Sequence, residues 1–353
     1  MSVETLFRRA FGAPPALVRF SPGRVNLIGE HTDYNGGAVL PAALSLGVSL
    51  ALSPSAEDTL TIVSDGFEDR VTRRLDEGAS GHWSDYALGA LRLARENGLA
   101  EGGLRLAVAS DLPIGAGLSS SSALIVGILK ALRQRARTPH TDAQIAHLAR
   151  RVETDFIGMP CGIMDQMVIA VAQPGEALFL DTHTMECDTR ALPDDPVFAI
   201  LHSGVYRALA DGRYKVRKTE CDRVRELLGR DDICRAGLSD LAKLEDDTLR
   251  RRARHCVTEH RRTLEAADAL ARRDDLRFGR LMQDSHASMR DDFAITTPSI
   301  DALVQSCVEL GAFGARMTGG GFGGCVVALV ERERRAAWLS AVLARHDAAF
   351  EVA

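Results

Sequence analysis

The sequence predicts an α+β protein of two domains. Three observations carry that expectation. The chain has 353 residues, enough for two domains and a large buried core. Strand-like and helix-like runs mix along the first 205 residues without strict βαβ alternation. Beyond about 205 helical patterns dominate, rich in Arg, Asp and Glu through 213–292. No repeat or low-complexity linker marks a border, so the boundary is soft, within 190–210; we divide the chain into 1–195 and 196–353.

The elements follow in order. "VETLFRRAFG" has the spacing of a short helix and ends in a turn at Pro14-Pro15. Strands are expected over 17–21, 38–52 and 59–64. The run 38–52 is the most lipid-like stretch, but it is short for a span and holds Pro41, Ser45, Gly47 and Ser49. Its larger residues at 44, 46, 48 and 50 alternate with small ones, which is strand periodicity. "DYALGALRLARENG", 85–98, has helical spacing and a glycine stop. A strand is expected at 103–110. A Gly/Ser loop, 113–122, feeds an apolar helix from Ala123 to about Arg135. A further helix covers 142–155, and strands cover 177–184 and 198–204. The basic block "RRRARHCVTEHRR", 250–262, is flanked by Glu245, Asp246, Asp247 and Glu265 and reads as a solvated helix face, not a polyanion site. "GFGGCVVALV" is a glycine loop entering a strand, and "RRAAWLSAVLARH" a last helix.

Bulk properties narrow the function. Apolar residues make up 46% and charged residues 26%, as in an ordinary soluble enzyme. A net charge of −5 argues against a nucleic-acid partner. Seven cysteines form no C-x-x-C pair, which fits reduced thiols better than a disulfide scaffold or zinc site. The N-terminus has no secretory h-region. A cytoplasmic protein without membrane partners is the expectation, and a monomer the simplest state.

"DLPIGAGLSSSSAL", 111–124, is the most chemically legible segment. Gly115 and Gly117 allow a tight turn and close ligand approach. The serines then open an apolar helix, whose unpaired N–H groups and positive end make an anion cradle. A serine N-cap is the competing reading, but one serine would serve for that, and here Ser119 to Ser122 stand in a row. "MTGGGFGGC", 317–325, is a second glycine loop, read either as close backbone approach to a ligand or as an elaborate β-turn. Together the two loops make a nucleotide the economical ligand.

"GRVNLIGEHTDYNGG", 23–37, places dense hydrogen-bonding groups between two core-forming stretches. Glu30, His31 and Asp33 suit a ring of sugar hydroxyls. An Asx-turn with a core histidine would collect the same residue types.

These segments carry a resemblance. "GRVNLIGEHTDYNGGAVLP" resembles the signature of galactokinases, and "PIGAGLSSSSAL" the nucleotide loop of the wider GHMP kinase superfamily. "ETDFIGMPCGIMDQM", "SHASMRDDFAITTPSID" and "GARMTGGGFGGC" match further galactokinase blocks, in the expected order from about residue 20 to 330. The resemblance implies the two-domain GHMP kinase fold, with mixed or antiparallel sheets, helices packed on them and an active site in the interdomain cleft. It implies MgATP-dependent phosphorylation of α-D-galactose at the anomeric hydroxyl, the entry of galactose into the Leloir pathway.

Carried over position by position, it makes Asp165 the catalytic base, with Arg24 beside it to keep it charged and to neutralise the moving phosphoryl group. Glu30, His31, Asp33, Gly162 and Tyr214 would hold galactose. Gly115, Ala116, Gly117, Leu118, Ser119, Ser120 and Ser121 would hold the nucleotide, with Trp83 near adenine. Ser121, with Ser120 as the alternative, and Glu153 would bind Mg²⁺, which favours a few hard oxygen ligands. Two positions depart from the family pattern. Gly36 stands where an acidic or amide residue is common, beside the sugar site, and Ser299 where a glutamate is usual. Two other functions compete: a kinase for N-acetylgalactosamine or arabinose, and a galactose- and ATP-binding sensor without catalysis. The intact serine run, Arg24 and Asp165 favour the enzyme.

Overall fold

The computed structural model describes residues 1–67, 70–113, 115–206 and 212–353. The chain packs as two compact units, each drawn from several stretches. The first comprises Met1–Arg24, Ala43–Pro113 and Ser119–Pro174. The second comprises Val25–Ala42, the described residues 115–118 and Gly175–Ala353. The division therefore follows packing and not one cut in the sequence.

In the first unit, helix α1 (Val3–Phe11) is started by Ser2, whose side chain accepts from the Thr5 amide, and stopped by Gly12 in the left-handed conformation. It buries Val3 and Phe7 against Ala51, Val63 and Ala107. Strands β1 (Leu17–Ile28) and β2 (Ala38–Ser55) pair with each other, and each begins in one unit and ends in the other. β1 runs straight through Pro22-Gly23, where the sequence pattern had suggested a break after 21. β3 (Thr59–Ser64), β4 (Val71–Arg74) and β5 (Gly103–Ser110) complete this part in the order β4-β3-β5-β2. The β3–β5 pair is parallel and the others antiparallel, a mixed sheet as expected.

Between β4 and β5 lies α2 (Asp85–Glu96). Helix α3 (Ser120–Ala136) follows β5 and is buried on every side from Ser122 to Leu132. A helix buried all round needs cover on every side. α2, α4 (Asp142–Arg151) and α5 (Met164–Val171) supply it. α4 opens with a capping box formed by Thr141 and Gln144, then passes into a wider π-type turn over Val152–Phe156 that carries Glu153.

In the second unit, β6 (Glu176–Asp181) pairs with the start of β2, Ala38 opposite Asp181, and with β7 (Cys187–Ala191). Strand β8 (Val197–His202) belongs to a separate antiparallel sheet. Helices α6 (Arg213–Leu228), α7 (Asp247–Arg272), α8 (Asp275–Ser288) and α9 (Pro298–Glu309) come next. Strands β9 (Gly314–Thr318) and β10 (Cys325–Val330), helix α10 (Arg335–Leu343) and the short strand β11 (Phe350–Glu351) end the chain. The sheet order is β11-β8-β10-β9, all antiparallel. Its core gathers Val326, Ala328 and Met317 with Cys256, Val257, Met289 and Phe293.

Helix α7 corrects one expectation. The block 250–262 is not simply a solvated face. Arg254 and Arg261 face solvent, while Arg252, His255, Glu259 and Thr263 are buried along the opposite side. All seven cysteines are free thiols. Among the described residues, no helix is long and apolar enough to cross a membrane.

Candidate active site

The first unit assembles the chemistry-bearing carboxylates. Asp165 lies in the first turn of α5 and Arg24 on β1. The guanidinium grips the carboxylate with two parallel bonds: Nε donates to Oδ1 at 2.7 Å and Nη2 to Oδ2 at 2.5 Å. Arg24 is only 7% exposed and Asp165 25%, so the pair is shielded yet open on the carboxylate side. A bidentate fork of this kind fixes orientation as well as charge. Ser119, from the serine run, donates to Asp165 Oδ2 as well.

The other serines point at a second carboxylate. Ser121 Oγ and Ser122 Oγ donate to Glu153 Oε1 at 3.2 and 3.1 Å. Gln166, next to Asp165, donates to Glu153 Oε2, and the Cys161 thiol lies 3.5 Å from the same oxygen. Burial pushes the Glu153 carboxyl above its usual range, and the charge of Asp165 pushes it further. Asp165 has its counter-cation in Arg24, whereas Glu153 is held by neutral donors. The Glu153 carboxylate and the Ser121 hydroxyl are hard oxygen donors of the kind Mg²⁺ takes, so their chemistry fits the ion. Ser120 is exposed at the first turn of α3. Gly162 is buried in the loop entering α5.

Trp83 sits on the loop before α2. Its ring stacks on Phe67, with centroids 4.7 Å apart and planes 6° from parallel. The loop is pinned by Asp85, whose carboxylate accepts from the amides of Ser80, Gly81 and His82 and from Arg73. Phe67 is 44% exposed and went unnoticed in the sequence, because a lone aromatic in a loop carries no periodicity.

The second unit assembles the polar stretch. His31 Nδ1 lies 2.6 Å from the Tyr34 hydroxyl. The rings of Tyr214 and Phe293 approach His31 at 5.3 and 4.9 Å. Burial raises the Tyr34 phenol well above its ordinary value, so it stays a neutral hydroxyl. Asp33 is half-buried beside this cluster in sequence. His31 has φ of 60°, a left-handed conformation for a bulky residue that only a locked loop sustains.

Glu30 is almost wholly buried. Its carboxylate accepts from Gly319 N, from Asn26 Nδ2 and from Arg316 Nη2, the last at 3.1 Å. Below it, Glu259 of α7 accepts from the amides of Gly29 and Glu30 at 3.0 and 3.3 Å and from Ser285 Oγ at 2.6 Å. Arg262 and Arg316 hold the Glu259 carboxyl down at about 2, against the opposing effect of burial. His255 Nε2 donates to the Glu30 carbonyl at 3.0 Å, while Nδ1 accepts from Ser288 at 2.9 Å. Burial lowers this imidazole to about 4, so it is neutral. Arg316, Glu259 and His255 were missed in the sequence. The signal was present: Arg252, His255, Glu259 and Thr263 recur at three- and four-residue spacing, a polar stripe on one helix face.

The two glycine loops differ. Gly115 and Gly117 both adopt positive φ, and Ala116 and Leu118 between and after them are buried. The Cys325 thiol bonds the Ala116 carbonyl at 3.3 Å. In the loop 317–325, read from the sequence as a ligand approach or an elaborate β-turn, three amides are engaged by protein: Gly319 by Glu30, Phe322 by the Ile295 carbonyl, Gly324 by the Val205 carbonyl. At Gly321, φ is 87° and a Cβ would come 2.7 Å from Ile295 Cβ, so packing accounts for that glycine.

The departures at Gly36 and Ser299 have structural accounts. Gly36 has φ of 72°, and a Cβ there would lie 2.8 Å from Asp232 Cβ. Ser299 is exposed at the start of α9, with its hydroxyl 3.2 Å from the helix-capping Thr297.

The mixed sheets, the serine-led helix and the paired carboxylates define a GHMP kinase. Residues 85–173 match the GHMP kinases N terminal domain and residues 266–347 the GHMP kinases C terminal family. The fold of Methanococcus jannaschii mevalonate kinase superposes with a TM-score of 0.70 at 21% identity, covering 95% of this chain and 97% of that one. Within that class the likeness is narrower. Residues 5–54 match the galactokinase galactose-binding signature. The chain is 40% identical to the galactokinase of Homo sapiens over 341 residues, 92% of this chain and 86% of that protein. The structure of Lactococcus lactis galactokinase complexed with galactose matches with a TM-score of 0.91 at 30% identity, covering 99% of this chain and 96% of that one. The chain belongs to the galactokinase family.

Proposed function

We propose that this chain transfers the γ-phosphoryl group of ATP to the anomeric hydroxyl of α-D-galactose, giving α-D-galactose 1-phosphate and ADP. The observation that carries the chemistry is the carboxylate of Asp165, gripped by a shielded arginine and by a serine of the phosphate loop. The sugar's O1 bonds to the γ-phosphorus as the bond to the bridging oxygen breaks. That electron pair leaves with ADP, and the O1 proton goes to Asp165. Phosphoryl transfer depends on positioning and charge neutralisation, and Arg24 supplies a fixed positive charge beside the base.

Glu30, His31, Asp33 and Tyr214 bind the sugar hydroxyls, with Gly162 contributing backbone. The locked left-handed loop at His31 supports that reading, because a preorganised polar ring loses little entropy on binding. We add Tyr34, whose neutral phenol orients the His31 imidazole. Residues 115–121 bind the phosphates at the start of α3, Ser119 through its main chain only since its hydroxyl is taken by Asp165, and Trp83 with Phe67 forms the platform for adenine. Ser121 and Glu153 would hold Mg²⁺, which would neutralise charge on the phosphates. The family matches at 85–173 and 266–347 fall on either side of residue 195, so in sequence the N-terminal GHMP kinase domain is assigned to 1–195 and the C-terminal one to 196–353, while Val25–Ala42 and residues 115–118 pack with the second unit. The protein is a cytoplasmic monomer.

The test is ADP release coupled to an indicator enzyme, with the sugar product identified by ³¹P NMR. Galactose, N-acetylgalactosamine and arabinose are compared in parallel. Turnover of galactose at least tenfold above the others supports the reading. Preference for another sugar, or ATP and galactose binding without product, overturns it.

A further inference from the structure

We propose that Ser119 is a positioning residue for the base: with Arg24 it saturates Asp165 Oδ2 and leaves Oδ1 as the oxygen that takes the sugar's proton. The inference rests on the reading of Asp165 as the base and deepens it.

Ser119 stands where a helix N-cap belongs, immediately before α3, but its side chain makes no capping bond. Its backbone is left-handed, with φ 61° and ψ 45°. That conformation is strained for a non-glycine residue. A serine that forgoes its cap and sits in a strained conformation is held there by another contact. The contact is the hydrogen bond from Oγ to Asp165 Oδ2.

A carboxylate offers about four lone-pair directions, two on each oxygen. Oδ2 receives Arg24 Nη2 and Ser119 Oγ, which accounts for both of its directions. Oδ1 receives Arg24 Nε. One direction on Oδ1 therefore remains for a substrate hydroxyl, on a side chain that is 25% exposed. The proton lost by O1 as the O1–phosphorus bond forms passes to Oδ1, while the bridging-oxygen electron pair leaves with ADP. Arg24 alone grips the plane of the carboxylate. Ser119 adds the bond that makes its two oxygens inequivalent.

The experiment uses Ser119→Gly in the full chain. Glycine adopts positive φ readily, so the loop keeps its path while the hydroxyl is lost. Ser119→Ala is the second variant, with the same loss and a Cβ retained. For Ser119→Gly the expected result is a fall in kcat of tenfold or more, with KM for galactose and for MgATP within about twofold of wild type. A rise in KM for MgATP at unchanged kcat would make Ser119 a nucleotide ligand and overturn the proposal, as would wild-type kinetics. An independent readout is carboxyl ¹³C NMR of aspartate-labelled, ligand-free protein, with the Asp165 signal assigned by its loss in Asp165→Asn. That signal shifts in both Ser119 variants if the contact exists, and an unmoved signal overturns it. If the signal shifts but the wild type forms no galactose 1-phosphate, the functional reading fails and the contact stands.

Discussion

Mild acid destabilises this protein before its surface carboxylates titrate, and two buried imidazoles set the size of the effect. His255 hydrogen-bonds Ser288 and the Glu30 carbonyl, and His286 accepts from the Met317 amide at 3.3 Å. Burial brings each down to about 4 from an ordinary 6.5. As pH falls from 6.5 to 4, the unfolded chain takes up these protons first, so folding stability drops through that window and levels off below it. At pH 5 an imidazole with those two values has lost about 2 kcal/mol relative to pH 7.5, so the pair accounts for about 4 kcal/mol. That is a large share of the 5–15 kcal/mol by which a domain is usually stable. Glu153 acts in the opposite sense: its folded-state value is raised, so acid relieves it. The assay is urea unfolding at pH 7.5, 6 and 5 for wild type, His255→Gln and His286→Gln. Each variant should shrink the acid-induced drop by about 2 kcal/mol. A wild-type drop under about 1 kcal/mol, or an undiminished drop in both variants, refutes the reasoning.

Four further variants have expected outcomes. Asp165→Asn should abolish turnover while calorimetry still finds galactose binding, and Arg24→Ala should lower kcat by about 30- to 1000-fold, the worth of 2–4 kcal/mol of transition-state charge stabilisation, with a smaller change in galactose affinity. Glu153→Gln should weaken Mn²⁺ binding read by electron paramagnetic resonance and raise the Mg²⁺ needed for half-maximal rate. Because the variant removes a buried charge that burial disfavours, its thermal stability should equal or exceed wild type at pH 7. Gly36→Asn should lose about 1–3 kcal/mol in denaturant unfolding, since its Cβ would stand 2.8 Å from Asp232 Cβ.

The parts of this fold that were legible in the sequence are those with a local rule. β5 and β3 fall on 103–110 and 59–64, as expected from these short apolar runs, and α2 starts at Asp85 as its spacing predicts. β4 and β7 were not seen, because "VTRR" and "CDTRA" are short, half-exposed edge segments whose pairing comes from the neighbouring strand. The helix expected to begin at Ala123 begins at Ser120: serine's middling propensity is overridden once Glu153 accepts from Ser121 and Ser122. For the site, Arg24 and Asp165 lie 141 residues apart in sequence and meet in bidentate contact. No local rule could pair them; only the resemblance put them side by side.

Glu30 shows how a residue proposed to bind a sugar can also be a structural one. Read in isolation, "GEHTD" offers a free carboxylate to a hydroxyl-rich ligand. In the folded chain that carboxylate already draws on Asn26 from the strand that precedes it, Gly319 from the second glycine loop and Arg316 from β9. Arg316 is fully buried, so its charge needs partners, and Glu30 with Glu259 supplies them. The same Glu259 holds the amides of Gly29 and Glu30. The loop bearing His31 is therefore anchored at both main chain and side chain by ionic groups it cannot exchange for apolar ones without leaving amides and a guanidinium unsatisfied. That rigidity is what lets His31 remain left-handed, with its imidazole against Tyr34 and Tyr214. The charged stripe on α7, far from the signature in sequence, is thus as much a part of this loop as the signature itself.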